Sequence, residues 1–304
     1  MPFAVRPQFD WRLRTRSLPL GERTLIMGIL NATPDSFSDG GQFLDPRAAL
    51  THALEMLDDG ADILDLGGES TRPNSTPVTP SEEQSRVLPI LRAILAARPN
   101  AILSIDTYHA ETARLAIESG AEIVNDVSGF LWDEAMAATC AALNCGTVLM
   151  HTRGRPQQWR TLPALAPAEV LPLVLRELNE RAQAALAAGI ARDSIVLDPG
   201  FGFGKAFDEN FPLLAQFDRL HALGFPLLAG LSRKGFLRSA LAEKPPAETA
   251  RKSGAPHLDS EMWVSATTAA NTAAILAGAH ILRVHDVRPA RQAAAIADRT
   301  LAAR

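Results

Sequence analysis

Cysteine is scarce in this chain, with only Cys140 and Cys145 among 304 residues. Their C-x4-C spacing, without a second pair elsewhere, excludes the common zinc motifs and a disulfide framework. Cysteines that serve neither purpose usually behave as small buried hydrophobes in a reducing compartment. Cysteine usage therefore predicts a cytoplasmic protein with two buried thiols.

Long apolar runs and basic stripes are also missing. No stretch approaches the roughly 18 uninterrupted apolar residues of a membrane helix. The arginine-rich start of the chain lacks the apolar segment of a signal peptide. The net charge of −4 and the pI of about 6.0 argue against a nucleic-acid surface. We therefore expect neither a membrane nor a nucleic acid as partner.

No Ser-, Gly- or Pro-rich linker divides the chain, and short apolar runs alternate along it with longer amphipathic segments. The runs cover residues 25–30, 63–66, 102–105, 122–124, 147–150, 195–197, 226–229 and 280–284. They are mostly β-branched or leucine, and they end in polar residues or glycine. This pattern is typical of strands buried on both faces of a parallel sheet.

Helical patterns fill many of the intervals between these runs. They cover residues 46–58, 81–97, 109–119, 170–188 and 261–277. The last three are followed directly by glycine, which commonly ends a helix. We predict the α/β class and a (β/α)8 TIM barrel as one domain over residues 21–304, with a doubly wound open sheet as the alternative. Residues 1–20 are expected to form a short N-terminal extension, such as a hairpin that closes the barrel bottom.

Two segments interrupt the alternation, residues 152–167 after the fifth run and 241–259 after the seventh. Both are polar and contain proline. Loops of this length are usually functional or mobile, and we interpret both segments in this way.

Polar side chains follow every apolar run, at the strand ends where TIM barrels hold their active sites. Four of them offer donors and acceptors to a flat heterocycle: Asp106, Asn125, Asp198 and Lys234. Four others suit an anion such as phosphate: Thr71, Arg72, Arg283 and His285. Asn31, with Asp35 and Asp39 nearby, suits Mg²⁺. A heterocycle joined to a diphosphate would satisfy all three groups.

Each of these residues has a structural alternative when taken alone. A single aspartate at a strand end is often a cap or turn residue, and a single histidine is more often structural. Asp65 and Glu69 could be ion partners inside the barrel. The glycine run 200–204 with Lys205 lacks phosphate-loop spacing, and Ala206 replaces the hydroxyl residue. The prediction therefore depends on the occurrence of polar residues at the ends of all eight predicted strands, and not on any single residue.

Long motifs in this chain resemble those of dihydropteroate synthases. They are GILNATPDSFSDGG at 28–41, GADILDLGGESTRP at 60–73, DPGFGFGK at 198–205, SRK at 232–234 and RVHDV at 283–287. The resemblance extends from about residue 24 to 300. It implies displacement of diphosphate from (7,8-dihydropterin-6-yl)methyl diphosphate by the amine of 4-aminobenzoate.

The resemblance also implies roles for individual residues. Asp106, Asn125, Met150, Asp198 and Lys234 would hold the pterin ring. Asn31 would hold Mg²⁺ and diphosphate. The diphosphate would also contact Thr71, Arg72, Arg283 and His285. The 4-aminobenzoate pocket would be shaped by Phe37, Pro73, Phe203 and Ser232.

The chain departs from the family pattern after His151, before the last helices and at Asn74. We expect these departures to affect loop conformation and subunit contacts rather than activity. Three alternatives remain: a pterin-dependent methyltransferase domain, a pterin-binding module without catalysis, and a synthase that is insensitive to sulfonamides. The first has no use for the anion group formed by Arg72, Arg283 and His285.

Alanine-rich segments near the end of the chain, residues 267–279 and 291–303, leave small side chains on several faces. Small side chains allow helices to approach closely, and the resemblance points to a homodimer through the last helices. The alternative is that these helices pack only against their own barrel.

Overall fold

The computed structural model describes residues 5–32, 46–69, 77–241 and 260–303. Eight parallel strands form the central sheet: β3 (Leu25–Asn31), β4 (Ile63–Gly67), β5 (Leu103–Asp106), β6 (Ile123–Asp126), β7 (Gly146–Met150), β8 (Ile195–Asp198), β9 (Leu228–Ala229) and β10 (Ile281–Val284). They are ordered β8-β7-β6-β5-β4-β3-β10-β9. A parallel bridge between Leu197 and Leu227 joins the two ends. The predicted (β/α)8 TIM barrel is confirmed.

Helices surround the barrel. They are α1 (Pro46–Asp58), α2 (Pro80–Ala97), α3 (Ala110–Glu118), α4 (Met136–Leu143), α5 (Pro167–Ala187), α6 (Asn210–Ala215), α7 (Gly235–Leu241), α8 (Ser260–Leu276) and α9 (Val287–Ala302). The five predicted helices are all present. Helix α4 escaped the sequence analysis because its residues are almost uniformly apolar and carry no amphipathic period.

The segment after β7 is more ordered than a plain loop. A 3-10 helix, Pro156–Thr161, lies within it, and α5 begins at Pro167 rather than at residue 170. Proline suits this first helical position because its missing N–H has no intrahelical partner there. The Glu169 carboxylate accepts the backbone N–H of Ala166 at 2.8 Å and so caps the helix start.

Two layers of side chains fill the barrel interior. The lower layer is apolar, and its residues belong to one packed cluster. They are Met27, Ile63, Ile123, Val148, Val196, Leu228 and Ile281. Strand side chains alternate between faces, so the residues two positions further on point inward as well. These residues are Ile29, Asp65, Asn125, Met150, Asp198, Gly230 and Arg283. The strand period thus places four polar side chains in one layer above the apolar cluster, and we call them the polar layer: Asp65, Asn125, Asp198 and Arg283.

A two-stranded antiparallel hairpin, β1 (Phe9–Arg12) and β2 (Ser17–Leu20), covers the lower layer. Trp11 is completely buried, and its indole N–H donates to the carbonyl oxygen of Ser194 at 3.0 Å. Leu13 and Leu20 are buried beside it. The hairpin therefore packs against the bottom of the barrel.

Both cysteines are buried and unbridged, as predicted. In the part of the chain that the structure describes, we find no helix with the length and apolar character needed to cross a membrane.

Candidate active site

A cavity of about 1110 Å³ opens at the carboxyl ends of the barrel strands. It gathers predicted site residues from seven strands and the loops that follow them. These are Asn31, Asp106, Asn125, Met150, Asp198, Phe203, Ser232, Lys234, Arg283 and His285. The other predicted site residues, Phe37, Thr71, Arg72 and Pro73, lie outside the described residues, as do Asp35, Asp39 and Asn74.

One wall of the cavity is an ion-pair network across three strands. The Arg283 guanidinium donates through Nε to Asp65 Oδ2 at 2.6 Å and through Nη2 to Asp106 Oδ2 at 2.5 Å. The Asn125 amide nitrogen donates to the same Asp65 oxygen at 2.9 Å. The alternative role of Asp65 as an ion partner inside the barrel is therefore confirmed. Arg283, predicted to bind an anion, already contacts two carboxylates.

Burial raises the pKa of Asp106 to about 7, although the Arg283 charge opposes this shift. The negative charges of Asp65, Glu83 and Asp126 add to the increase. Removing a carboxylate from water disfavours its charged form, and nearby anions act in the same direction. Asp106 can therefore change its charge near neutral pH.

Asp198 and Lys234 lie on the opposite wall. The backbone N–H of Gly200 donates to Asp198 Oδ1 at 2.7 Å, and burial raises the pKa of this carboxyl. Burial and the positive charge of Arg283 lower the pKa of Lys234 to about 8. The Lys234 ammonium lies 4.0 Å from the centre of the Phe203 ring. This wall therefore combines an acceptor, a cation and an aromatic face.

Ser232 and His285 form a pair at the end of β10. The backbone N–H of His285 donates to Ser232 Oγ at 3.2 Å, and Oγ lies 2.9 Å from His285 Nδ1. In one of the two tautomers of the imidazole, the Ser232 hydroxyl accepts the backbone N–H and donates its own hydrogen to Nδ1. In that arrangement Nε2 carries the imidazole proton and can donate it to an anion.

Several residues beneath the cavity were not assigned a role from sequence. The Lys205 ammonium is buried and donates to the Gly200 carbonyl at 2.8 Å. The Arg181 guanidinium donates to the carbonyls of Met150 and Thr152 at 3.0 and 2.9 Å. Lys205 thus stabilises its own loop. No sequence signal marks Arg181, since it lies within a regular amphipathic helix.

Asn31 is the described residue that fits a hard cation. Its side-chain amide supplies an oxygen ligand at the cavity, and Mg²⁺ prefers such ligands. Among the described residues, no group of three or more His, Cys, Asp or Glu side chains could hold a metal ion. Asn31 would then supply one oxygen ligand to an ion that substrate oxygens also hold.

Comparison with known proteins gives consistent results. The sequence model of the family described as pterin binding enzyme matches residues 27–285. A dihydropteroate synthase of Clostridium beijerinckii is 40% identical over 288 residues, which are 94% of this chain and 98% of the relative.

Solved structures agree with the sequence comparisons. The Xanthomonas albilineans dihydropteroate synthase with 4-aminobenzoic acid superposes with a TM-score of 0.81 at 38% identity, covering 98% of this chain and 99% of that one. The Yersinia pestis dihydropteroate synthase in a sulfonamide drug complex gives 0.85 at 35% identity, covering 97% and 100%. The chain therefore belongs to the dihydropteroate synthase family of pterin binding enzymes.

Proposed function

We propose that this chain condenses (7,8-dihydropterin-6-yl)methyl diphosphate with 4-aminobenzoate, giving 7,8-dihydropteroate and diphosphate. The observation that carries the proposal is the meeting of two chemically different residue groups in one cavity. Asp106, Asn125 and Asp198 suit a flat heterocycle, and Arg283 and His285 suit an anion. Family membership supports the same reaction.

The pterin ring binds in the deep part of the cavity, between Asp106 and Asn125 on one wall and Asp198 and Lys234 on the other. Carboxylates accept the ring N–H groups, and Lys234 donates to ring acceptors. Met150, which is almost fully buried, contributes an apolar contact below the ring. These groups are preorganised, because each already contacts its neighbours in the barrel.

The diphosphate contacts Arg283 and His285, and also Thr71 and Arg72 of the loop after β4. Arg283 and the Nε2–H of His285 stabilise the negative charge that develops on the leaving group. Asn31 would hold Mg²⁺, which would neutralise part of the diphosphate charge.

The reaction needs no protein nucleophile. The amine nitrogen forms a bond to the pterin methylene carbon, the carbon–oxygen bond to diphosphate breaks, and its electron pair leaves with the diphosphate. The amine nitrogen then gives up one proton. The electron-rich pterin spreads the positive charge that develops on the methylene carbon. Catalysis is therefore positioning together with electrostatic stabilisation of the leaving group.

The 4-aminobenzoate ring lies against Phe203 and Ser232, together with Phe37 and Pro73. Phe203 is fixed from two sides, by the Lys234 ammonium and by the edge of Trp159 at 5.3 Å between ring centres. A sulfonamide has the same flat aniline ring, so we propose that it competes for this subsite, in line with the sulfonamide complex of the Yersinia pestis relative.

The test is diphosphate release with purified protein, measured with and without 4-aminobenzoate. Release that depends on 4-aminobenzoate supports the proposal. Methyl transfer to a corrinoid acceptor would instead support the methyltransferase alternative. Binding of both substrates without product would support a module that has lost catalysis.

We further propose one barrel domain over residues 21–304 with the hairpin extension 1–20, and a cytoplasmic location.

We also propose a homodimer through α8 and α9. Ile296 on α9 is 69% exposed, and a large apolar side chain there is available to a second copy. A monomeric mass by light scattering at micromolar concentration would exclude the dimer.

A further inference from the structure

We propose that Asp65 is a positioning residue, which fixes the orientation of the Asn125 amide and the place of the Arg283 guanidinium. Neither the ring-binding group nor the anion-binding group includes Asp65. The proposal rests on the proposed function, because Asn125 and Arg283 act there on the pterin diphosphate.

The location of Asp65 excludes direct contact with bulk solvent. It is the third residue of β4, and its side chain is completely buried. Two donors from different strands converge on its Oδ2 atom, Nε of Arg283 and Nδ2 of Asn125. Its Oδ1 atom has no hydrogen-bond partner among the described residues. A buried carboxylate oxygen without a hydrogen-bond partner costs free energy. An aspartate with only a structural role would not be expected to carry this cost.

The contact with Asp65 determines which way the Asn125 amide points. A side-chain amide has one accepting and one donating end. An ionised carboxylate only accepts, so the nitrogen end of Asn125 must face Asp65. The oxygen end is left for the substrate. Asp65 thereby selects a ring that presents a donor to Asn125.

Arg283 is held in the same way. Its two bonded N–H groups reach Asp65 on β4 and Asp106 on β5, so the guanidinium is shared between two carboxylates. Without Asp65, the Arg283 guanidinium would lose one of its two hydrogen-bonded carboxylates and would no longer be fixed between β4 and β5. A fixed guanidinium can meet a diphosphate without reorganisation, which is the condition for strong electrostatic stabilisation.

Asp65 also affects the charge state of Asp106. The charged groups that act on Asp106 are Arg283 from β10, Asp65 from β4, Glu83 from α2 and Asp126 from β6, together with Lys234, which follows β9. The negative charge of Asp65 contributes to the raised pKa of Asp106. Removing that charge should therefore lower the pKa of Asp106, and the shift reports the negative charge that Asp65 places beside Asn125 and Arg283.

Two substitutions separate hydrogen bonding from charge. In Asp65→Asn, the amide oxygen can replace Oδ2 and accept both donors, but the negative charge is lost. In Asp65→Ala, both the acceptor oxygen and the negative charge are lost. The control is Ser104→Ala, because Ser104 lies beside Asp65 in the strand register, is completely buried and has a hydroxyl without a partner among the described residues.

The measurement is calorimetric binding of (7,8-dihydropterin-6-yl)methanol as a function of pH, together with kcat and KM. We expect Asp65→Ala to weaken binding at least about tenfold, in the range that a lost orienting bond in a buried site allows. Asp65→Asn should retain binding at high pH, with its pH midpoint shifted below that of the parent. Ser104→Ala should behave as the parent.

The proposal is overturned if folded Asp65→Ala has the affinity of the parent. Should Asp65→Ala fail to fold, an unshifted pH midpoint in Asp65→Asn overturns it instead. Failure of the proposed function would look different, because the parent itself would then release no diphosphate with 4-aminobenzoate.

Discussion

The Lys234 ammonium lies over the Phe203 ring, 4.0 Å from its centre. The first residue follows β9 and the second follows β8, and their roles were predicted separately, for the pterin ring and for 4-aminobenzoate. A cation over an aromatic face is attracted by the electron density of the ring, and the attraction grows when water is excluded. The two proposed subsites therefore share a wall.

Sulfonamides should inhibit competitively with 4-aminobenzoate. The flat aniline ring of either molecule needs the Phe203 face, and specificity between them requires a pocket that clashes with the bulkier sulfonyl group. The measurement is the inhibition pattern at several 4-aminobenzoate concentrations, with pterin diphosphate saturating. Normal turnover with sulfonamide in large excess would refute this prediction and direct attention first to Asn74.

Asp198→Ala should weaken pterin binding by more than about 2 kcal/mol, because buried ring N–H groups lose a charged acceptor. Isothermal titration with (7,8-dihydropterin-6-yl)methanol measures the change. Asp208→Ala is the matched control, since Asp208 is an exposed aspartate in the same strand-to-helix connection. Equal affinities in Asp198→Ala and the parent would remove Asp198 from the site.

Pterin affinity should depend on pH through Asp106, whose pKa is raised to about 7. Below this value the carboxyl is protonated in the free protein, and the neutral acid is a weaker acceptor for a ring N–H than the carboxylate is. Affinity should therefore rise with pH, by up to about tenfold per unit below the pKa and then level off, since one unit corresponds to about 1.4 kcal/mol. Asp106→Asn should abolish this dependence, and an unchanged profile in that variant would assign it to another group.

Turnover should require Mg²⁺ acting through Asn31 and the diphosphate. With few protein oxygen ligands, the ion should bind weakly until substrate phosphate completes its coordination. Asn31→Ala should raise the Mg²⁺ concentration needed for half-maximal rate, whereas the exposed Asn100→Ala should not. Full turnover in excess chelator would contradict the requirement.

Trp11→Ala should destabilise the whole barrel, although Trp11 lies in the N-terminal extension. Its side chain is fully buried in the lower layer, and truncation of a buried tryptophan costs about 3–5 kcal/mol. The check is the free energy of unfolding from denaturant titration. Asp10→Ala, on the exposed face of the same strand, is the control. A similar small change in both would mean that the hairpin adds little to barrel stability.

Much of the fold and of the candidate site could be predicted from sequence. Strands such as Leu25–Asn31 were visible because burial on both faces demands continuous apolar residues. Elements without such a pattern were missed, as with α4, or had to be redrawn, as with the two-residue β9. Residues such as Asp106 and Asp198 were identified because barrel active sites follow strand ends.

The sequence by itself determined which residues occupy the polar layer, since alternation along each strand is a local property. Only the tertiary structure decided their partners. Arg283 contacts Asp65 and Asp106 across 218 and 177 positions of the chain. That contact exists because β10 pairs with β3 and closes the barrel, which brings the end of the chain beside its beginning. Strand alternation fixes the direction of a side chain. Which of Asp65, Asp106 and Asp198 becomes the hydrogen-bond partner of Arg283 depends on distances between strands, and only the closed barrel sets these.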